Sequence, residues 1–387
     1  MRQRAGESPR PRIVQTWPEF SALEAVWDSL LGSSGAGSAF LTWDWIEAWR
    51  TVHGGAAAPF ALVCTDQRGD ISGIAPLVVL HRSMVSKFVR VMRLVGDIGG
   101  DSNNLDIIAR AGDEDAVIES VLSTLGSCTT AWDILELRHM PVESPVLQPL
   151  REGILKRGWI IREHRVPHLV IELPSSWPDF LARLSVKARW RIGRAGALAG
   201  RVCARREELA YFMDALFTLH AKRWTLLGQS GSFQDRARRR FYEQLAPRLL
   251  DRNLLEFDVL ELDGTAVAAQ FGFCYGDTYY GLSAGFDPTA ARYSPGVVLT
   301  SQIIRRLIAR GVRHYDCLHG DEPYKLRWAP RVSTYVHLTI VRPRSLGARY
   351  VALADAGGRY RARIRARFPT VWQYLKRARG RLPGSLP

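Results

Sequence analysis

The chain has 387 residues, 47% of them hydrophobic, and a formal net charge of +15. That length is generous for one domain and comfortable for two, with enough apolar residues for sizeable cores. Apolar runs such as Gly73–Leu80 are too short to span a bilayer, and Met1–Arg12 is basic without an apolar stretch, so neither a transmembrane helix nor a secretory signal is expected and a cytoplasmic location follows. Cys64, Cys128, Cys203, Cys274 and Cys317 are scattered with no C-x-x-C pair, which points away from a zinc site or a disulfide framework. No metal is expected. The charge is uneven: Arg342–Pro387 holds 12 Arg/Lys against the single acid Asp355, leaving residues 1–341 only mildly basic at +4.

In chain order, Trp17–Leu31 and the tryptophan-rich Trp43–His53 read as helices around a flexible Gly32–Ser38. Strands are expected at Pro59–Thr65, Ile71–Leu80, Phe88–Val95, Leu105–Ala109 and Trp132–Leu137, with a helix at Glu114–Leu125. Gly99–Asn104 either shapes a cleft or is an ordinary loop. Pro141–Arg157 carries prolines and is expected to connect the halves, which gives units at 1–140 and 166–342, a linker region at 141–165 and a basic tail at 343–387. Val166–Leu173 opens the second unit as a strand. Then Arg183, Lys187, Arg189, Arg191, Arg194, Arg201, Arg205 and Arg206 follow with no acid between, a solvated face or a cationic wall. Glu207–Leu227 has helical spacing and contains His220, Arg223 and Trp224, Gln229–Phe233 is a loop able to cover a cleft, and Asp235–Leu250 is another helix.

Leu254–Leu262, Thr265–Tyr275 and Thr278–Phe286 read as three strands joined by tight turns, Asp263-Gly264 being a strong hairpin signal. Apolar residues at Leu299, Ile303, Ile304, Leu307 and Ile308 mark a buried helix face, ended by Gly311. Ser294 suits the N-cap and Pro295 the first turn, so the amides of Gly296, Val297 and Val298 are expected to be free to hold an anion. His314–Leu318 follows as a short buried strand ending in polar residues, and Tyr335–Val341 closes the sheet. The tail is expected either as a surface helix touching anionic lipid or a partner, or as a solvated segment.

This order, with Leu219-His220, Arg223-Trp224, Phe241, Gly264, Ala268-Ala269, Tyr280-Gly281, Ser294-Pro295-Gly296, Asp316, Gly320, Tyr324-Lys325 and Trp328, resembles the CelD-type (BioF-like) branch of the GNAT acetyltransferases, a branch found near cellulose and exopolysaccharide genes and related in fold to the FemAB aminoacyl transferases. The resemblance covers roughly residues 17 to 340. It implies a mixed α/β (α+β) fold of two tandem GNAT-like units and transfer of an acyl group from acetyl-CoA or another acyl-CoA to an amine, on a small molecule or glycan precursor. A FemAB-like transferase using aminoacyl-tRNA and a non-catalytic membrane-associated scaffold are the alternatives, and no specific nucleic-acid binding is expected under the first. Gly73–Leu77 and Asp133–Leu135 echo Thr265–Ala269 and Asp316–Leu318, but acids at Asp113, Glu114 and Asp115 would repel a diphosphate from the first unit.

Acyl transfer needs a held donor, a hydrogen-bond donor for the thioester oxygen, a neutral amine and a protonated leaving thiol. Ser294, Gly296, Val297 and Val298 are the candidates for the first, and backbone groups in Gln270–Phe273, Gln270 and Phe271 foremost, for the second. Asp316 is the candidate base, or a structural cap of the turn after it, with His319 and Glu322 as alternates. Tyr324 is placed to protonate the thiolate, Lys325 to pair with Asp316 or a phosphate, and Arg223 with Trp224 to line the acceptor cleft. Cys317 beside them reads as a core residue. Gly281-Leu282-Ser283-Ala284-Gly285 matches a nucleophile elbow in letters only, since Ser283 lies inside a strand. His164 and His168 are parted by Pro167, which excludes a helical metal pair.

Overall fold

The computed structural model describes residues 10–84, 87–193, 198–226, 228–319, 323–328 and 330–367. In the first unit the elements are β1 (Arg12–Val14), α1 (Trp17–Ser21), α2 (Glu24–Gly32), α3 (Trp43–His53), β2 (Ala58–Pro59), β3 (Ala61–Thr65), β4 (Ile71–Ala75), β5 (Leu77–Met84), β6 (Lys87–Leu94), β7 (Ile108–Ala109), α4 (Glu114–Ser127), β8 (Ile134–Pro141) and α5 (Leu147–Lys156). The second continues with β9 (Ile160–Glu172), α6 (Trp177–Arg183), α7 (Val186–Ile192), β10 (Leu198–Val202), α8 (Leu209–Leu226), α9 (Arg236–Asp251), β11 (Leu255–Leu262), β12 (Thr265–Tyr275), β13 (Thr278–Phe286), α10 (Pro295–Ala309), β14 (His314–His319), α11 (Pro323–Leu326), β15 (Arg331–Val341) and α12 (Leu346–Arg367).

The fold is mixed α/β. A small sheet in the order β1-β3-β4-β7 stands beside an 11-stranded sheet in the order β10-β11-β12-β13-β14-β9-β15-β8-β6-β5-β2. The expected strand Ile71–Leu80 is two strands in two sheets, broken at Pro76, which has no amide to continue a ladder. The expected helix Trp17–Leu31 is also two, parted at Ala22–Leu23. Positive φ at Asp263 (50°) and Gly264 (75°) turns β11 into β12, as the Asp-Gly pair requires.

Each unit repeats one order: antiparallel strands, a helix, then a strand parallel to the last. In the first these are β6, α4 and β8; in the second, β13, α10 and β14. At the centre one strand pairing joins the units. β9 connects the first unit to the second and pairs there with β14, while β15, at the end of the second unit, crosses to pair with β8 of the first. β15 pairs with β9 along its whole length, from Arg331–Val170 to Val341–Ile160. Residues 141–165, expected as a connection, therefore hold α5 and the first part of a central strand.

Aromatic packing closes the seam. Phe40 meets Phe273 at 5.9 Å and Tyr280 at 5.3 Å, and Trp45 meets Phe241 at 5.0 Å. The Gly99–Asn104 loop docks there as well: buried Asp101 accepts from Arg238 Nη2 (2.5 Å) and Tyr242 Oη (2.8 Å), and Ser102 Oγ from Trp45 Nε1 (2.8 Å). Leu346, Tyr350 and Val351 of α12 pack on Val89, Val91, Ile134 and Val341. The tail side chains from residue 357 onward lie outside the described residues. No helix among the described residues is long and apolar enough to cross a membrane.

Candidate active site

β13 is paired with β12 from end to end, but with β14 only where Thr278, Tyr279 and Tyr280 face His314, Tyr315 and Asp316. Both strands run on beyond that point without each other. At the same level the β12–β13 register slips between Phe271 and Gly272, leaving Leu282 as a bulged residue. A bulge bends its strand and increases its twist, which swings β13 away from β14. Gly281–Ala284 are consequently half-exposed in the middle of a sheet. Behind them lies α8: a Cβ on Gly285 would strike the backbone of Leu219 and His220, so only glycine allows that approach. Arg223 Nη1 reaches from α8 to the Ala284 carbonyl (3.4 Å), its guanidinium 5.7 Å from the Phe286 ring centre. This stretch has the form of a strand edge, able to take an extended chain carrying amides.

Asp316 sits where the opening begins. It is 4% exposed and its Oδ1 accepts from the Leu318 amide at 2.7 Å, with Leu318 in the left-handed region (φ 59°). Burial pushes its carboxyl up to about 6, while the Leu318 amide and the Lys325 ammonium pull it down. A carboxylate titrating there suits a general base near neutral pH. Lys325, from α11, is buried beside it. Tyr335 lies against both Asp316 and Asn104 of the first unit, and burial raises its phenol far above the usual range. His168 stacks on the Tyr335 ring (3.9 Å, 8°), and burial, with Arg331 and Lys325 near, lowers its imidazole to about 4. The side chains of His319 and Tyr324, and all of Gly320 and Glu322, lie outside the described residues.

The start of α10 differs from the expectation. A helix leaves its first four amides without intrahelical partners. Here Ser294 donates to Ala291 O (3.0 Å), Pro295 has no N–H, and both Val297 (2.9 Å) and Val298 (3.1 Å) donate to Ser294 O. Val298 is one residue too deep in the helix to be free, and Val297 makes a tighter i→i−3 bond. The three free amides reduce to Gly296, whose N–H meets no acceptor among the described residues. Space remains at that residue, since a Cβ there would meet nothing closer than the Phe286 ring at 3.8 Å. Ser294 is the N-cap in position only: its φ is 52° and its hydroxyl caps nothing.

Gln270 and Phe271 also need correcting. Their strand is paired on both sides, so its backbone is occupied, and the open edge belongs to β13. Phe271 is fully buried against Tyr242 and Phe257. Gln270 is 5% exposed; its Nε2 donates to Tyr279 Oη (2.9 Å) and Tyr315 Oη, and its Oε1 accepts from Thr300 (3.2 Å). Trp224 Nε1 donates to His220 Nε2 (2.9 Å), and the Gly231–Phe233 loop closes over that imidazole. His168, Tyr335, Asn104 and His220 were not legible as site residues, because strand register and helix packing alone bring them to the opening.

The first unit has the same interruption, but filled. β6 and β8 stop pairing at Arg93–Glu136, which makes Glu136, and not Asp133, the counterpart of Asp316. Arg93, Asp97 and Glu136 are buried there in ion pairs extended by Arg82 and Arg138. Much of the arginine run is likewise occupied: Arg189 bonds Leu184 O (2.8 Å), Arg201 bonds Glu261 (3.1 Å) and Arg206 bonds Asp251 (2.5 Å). A separate cavity of about 690 Å³ lies on the other side of α8, closed at one end by Lys222 and Asp287 (2.6 Å). None of the expected site residues lines it, so the opening between β13 and β14 remains the candidate site. Among the described residues no cluster of His, Cys, Asp or Glu could hold a metal.

Residues 182–326 match the acetyltransferase (GNAT) domain family, a segment that contains every expected site residue. The structure resembles FemX (10% identity, 85% of this chain and 98% of that one, TM-score 0.61) and a conserved protein of unknown function from Bacteroides thetaiotaomicron VPI-5482 (13%, 82% and 97%, 0.54). It also resembles the C-terminal DUF2156 domain of a putative lysylphosphatidylglycerol synthetase from Agrobacterium fabrum (12%, 87% and 96%, 0.50). At these identities the likeness is one of fold. No curated protein matches the sequence. Residues 182–326 thus match a GNAT-type acetyltransferase domain, and the chain as a whole shares its mixed α/β fold with FemX.

Proposed function

We propose that the chain transfers an acyl group from an acyl-CoA thioester to an amine, with the donor lying along the open edge of β13 and the acceptor entering between the two units. The observation that carries this reading is the end of β13–β14 pairing at Tyr280–Asp316, with the Leu282 bulge beside it. In this reading the Gly281–Phe286 backbone holds the pantetheine amides and the thioester oxygen, and the Gly296 amide, at the positive end of α10, takes a phosphate oxygen. Asp316 takes the proton of the attacking amine, Lys325 restrains the Asp316 carboxylate, and Tyr324 or His319 protonates the thiolate. Arg223 and Trp224 line the cleft from α8. The acceptor proposed is an amine on a sugar or exopolysaccharide precursor, and the location proposed is cytoplasmic with the basic tail against the inner membrane face.

A FemAB-like transferase that takes its acyl group from an aminoacyl-tRNA is the second reading. Two observations favour it: the fold likeness to FemX, and a single unbonded amide at the start of α10 where a diphosphate would be gripped by several. Calorimetry separates the readings. Acetyl-CoA binding that weakens in Leu282→Pro supports the first; binding of aminoacyl-tRNA, falling steeply with salt, in the absence of acetyl-CoA binding replaces it with the second. Binding of neither removes both.

A further inference from the structure

One face of β8, β15 and β9 carries a row of rings that starts at Asp316 and ends in solvent. Tyr335 meets His139 edge-on at 5.9 Å, His139 meets His337 at 4.4 Å, and His337 meets His164 at 6.2 Å. Register explains the alignment: Tyr335 and His337 are two apart on β15, and His337 lies opposite His164 on β9. Exposure rises along the row, from fully buried Tyr335 through half-buried His139 and His337 to exposed His164. His139 reaches its place through a bulge, two β8 residues opposing His337, and through a φ of 53°. A histidine held there is strained. At the inner end, Tyr335 Oη lies against the Asp316 carboxylate and Asn104, and His168 Nδ1 is buried with no hydrogen-bond partner among the described residues.

We infer that this row conducts the proton released in acyl transfer from Asp316 through Tyr335, His139 and His337 to solvent at His164. The inference rests on the acyl-transfer reading above. An amine arriving as ammonium forms the new C–N bond, the C–S bond breaks, the thiolate takes one proton, and one proton remains to leave a buried site. Tyr335 passes it on by accepting at Oη as it gives up its own hydrogen. The cations facing the inner end, Lys325 and Arg331, disfavour a proton resting on His168 and so drive it outward. Arg138 flanks His139, and Glu163 and Arg165 flank His164 on the neighbouring strand positions.

The test uses the full chain with acetyl-CoA and a panel of amines (glucosamine and free amino acids), reading thiol release in weak buffer. His337→Gln, and His139→Asn, whose asparagine tolerates positive φ, are expected to lower kcat about tenfold or more without changing the KM for acetyl-CoA, and added free imidazole is expected to restore it. An unchanged kcat, or a loss that imidazole does not restore, overturns the relay. In protein carrying 15N-labelled histidine, His139→Asn is expected to move the titration midpoint of His337; an unmoved midpoint overturns the relay alone. Absence of thiol release from the wild-type chain with every amine overturns the acyl-CoA reading and the relay with it.

Discussion

Asp316 is pulled two ways, upward by burial and downward by an amide and an ammonium, and burial prevails. Burial holds its carboxyl at about 6, above the ordinary 3.8 of an aspartate, so it binds its proton more tightly in the native state. The sign follows: this group costs stability as pH rises from acid toward 6, and the cost is complete above that. Asp316→Asn is therefore expected to raise neutral-pH stability by up to about 3 kcal/mol, read as a later urea midpoint, with no gain in acid. The same variant should lose the acid limb of the activity profile, a rise centred near 6, and most of its turnover. Gly285 carries a steric prediction. Gly285→Ala drives a methyl into the backbone of α8, which cannot rotate away, so a loss of about 1–3 kcal/mol is expected in thermal or urea melts, with Gly276→Ala at an open turn losing less.

Among the elements, α10 is fixed from beneath by charge. Arg306 bonds both oxygens of Asp258 (2.7 and 2.8 Å) and Glu256 (2.8 Å), and Arg310 also bonds Glu256. Asp258 and Glu256 are 3% and 4% exposed, so removing the guanidinium strands the Asp258 carboxylate and leaves Glu256 to Arg310 alone. Arg306→Met should cost about 3–5 kcal/mol in urea denaturation, and Asp258→Asn in the same chain should return part of it. The helix itself was legible, as were β12, β13 and α3 to the residue, because period and turn chemistry act locally. The Val298 bond to Ser294 O was legible too, as the ordinary i→i−4 bond of a helix capped at Ser294, but the tighter Val297 bond to the same carbonyl was not. Nor was the strand that opens: Gln270 and Phe271 belong to the right hairpin, but whether a strand lies at the edge of an opening depends on β14, a strand placed by a distant part of the chain. Asp316, at a strand end next to polar residues, was legible.

Across the whole molecule, the pairing of β15 with β8 and with the first part of β9 makes each unit incomplete without the other. A chain of residues 166–342 would retain β15 but lose Ile160–Arg165, its partners opposite Val336–Val341, and all of β8 on the other side. Buried Leu338 and Ile340 would then lie on a bare sheet edge, the arrangement that aggregates. The aromatic seam would open too, exposing Phe273, Tyr280 and Phe241, and Arg238 and Tyr242 would lose Asp101. The proposed site shares that dependence, since Tyr335, beside Asp316, faces Asn104 of the first unit. Residues 166–342 alone are expected to be insoluble, and the full chain is expected to unfold in one step, tryptophan fluorescence and far-ultraviolet dichroism giving coincident urea curves. A soluble 166–342 fragment with native-like dichroism, or two separated transitions in the full chain, would show that the shared strands are not what joins the halves.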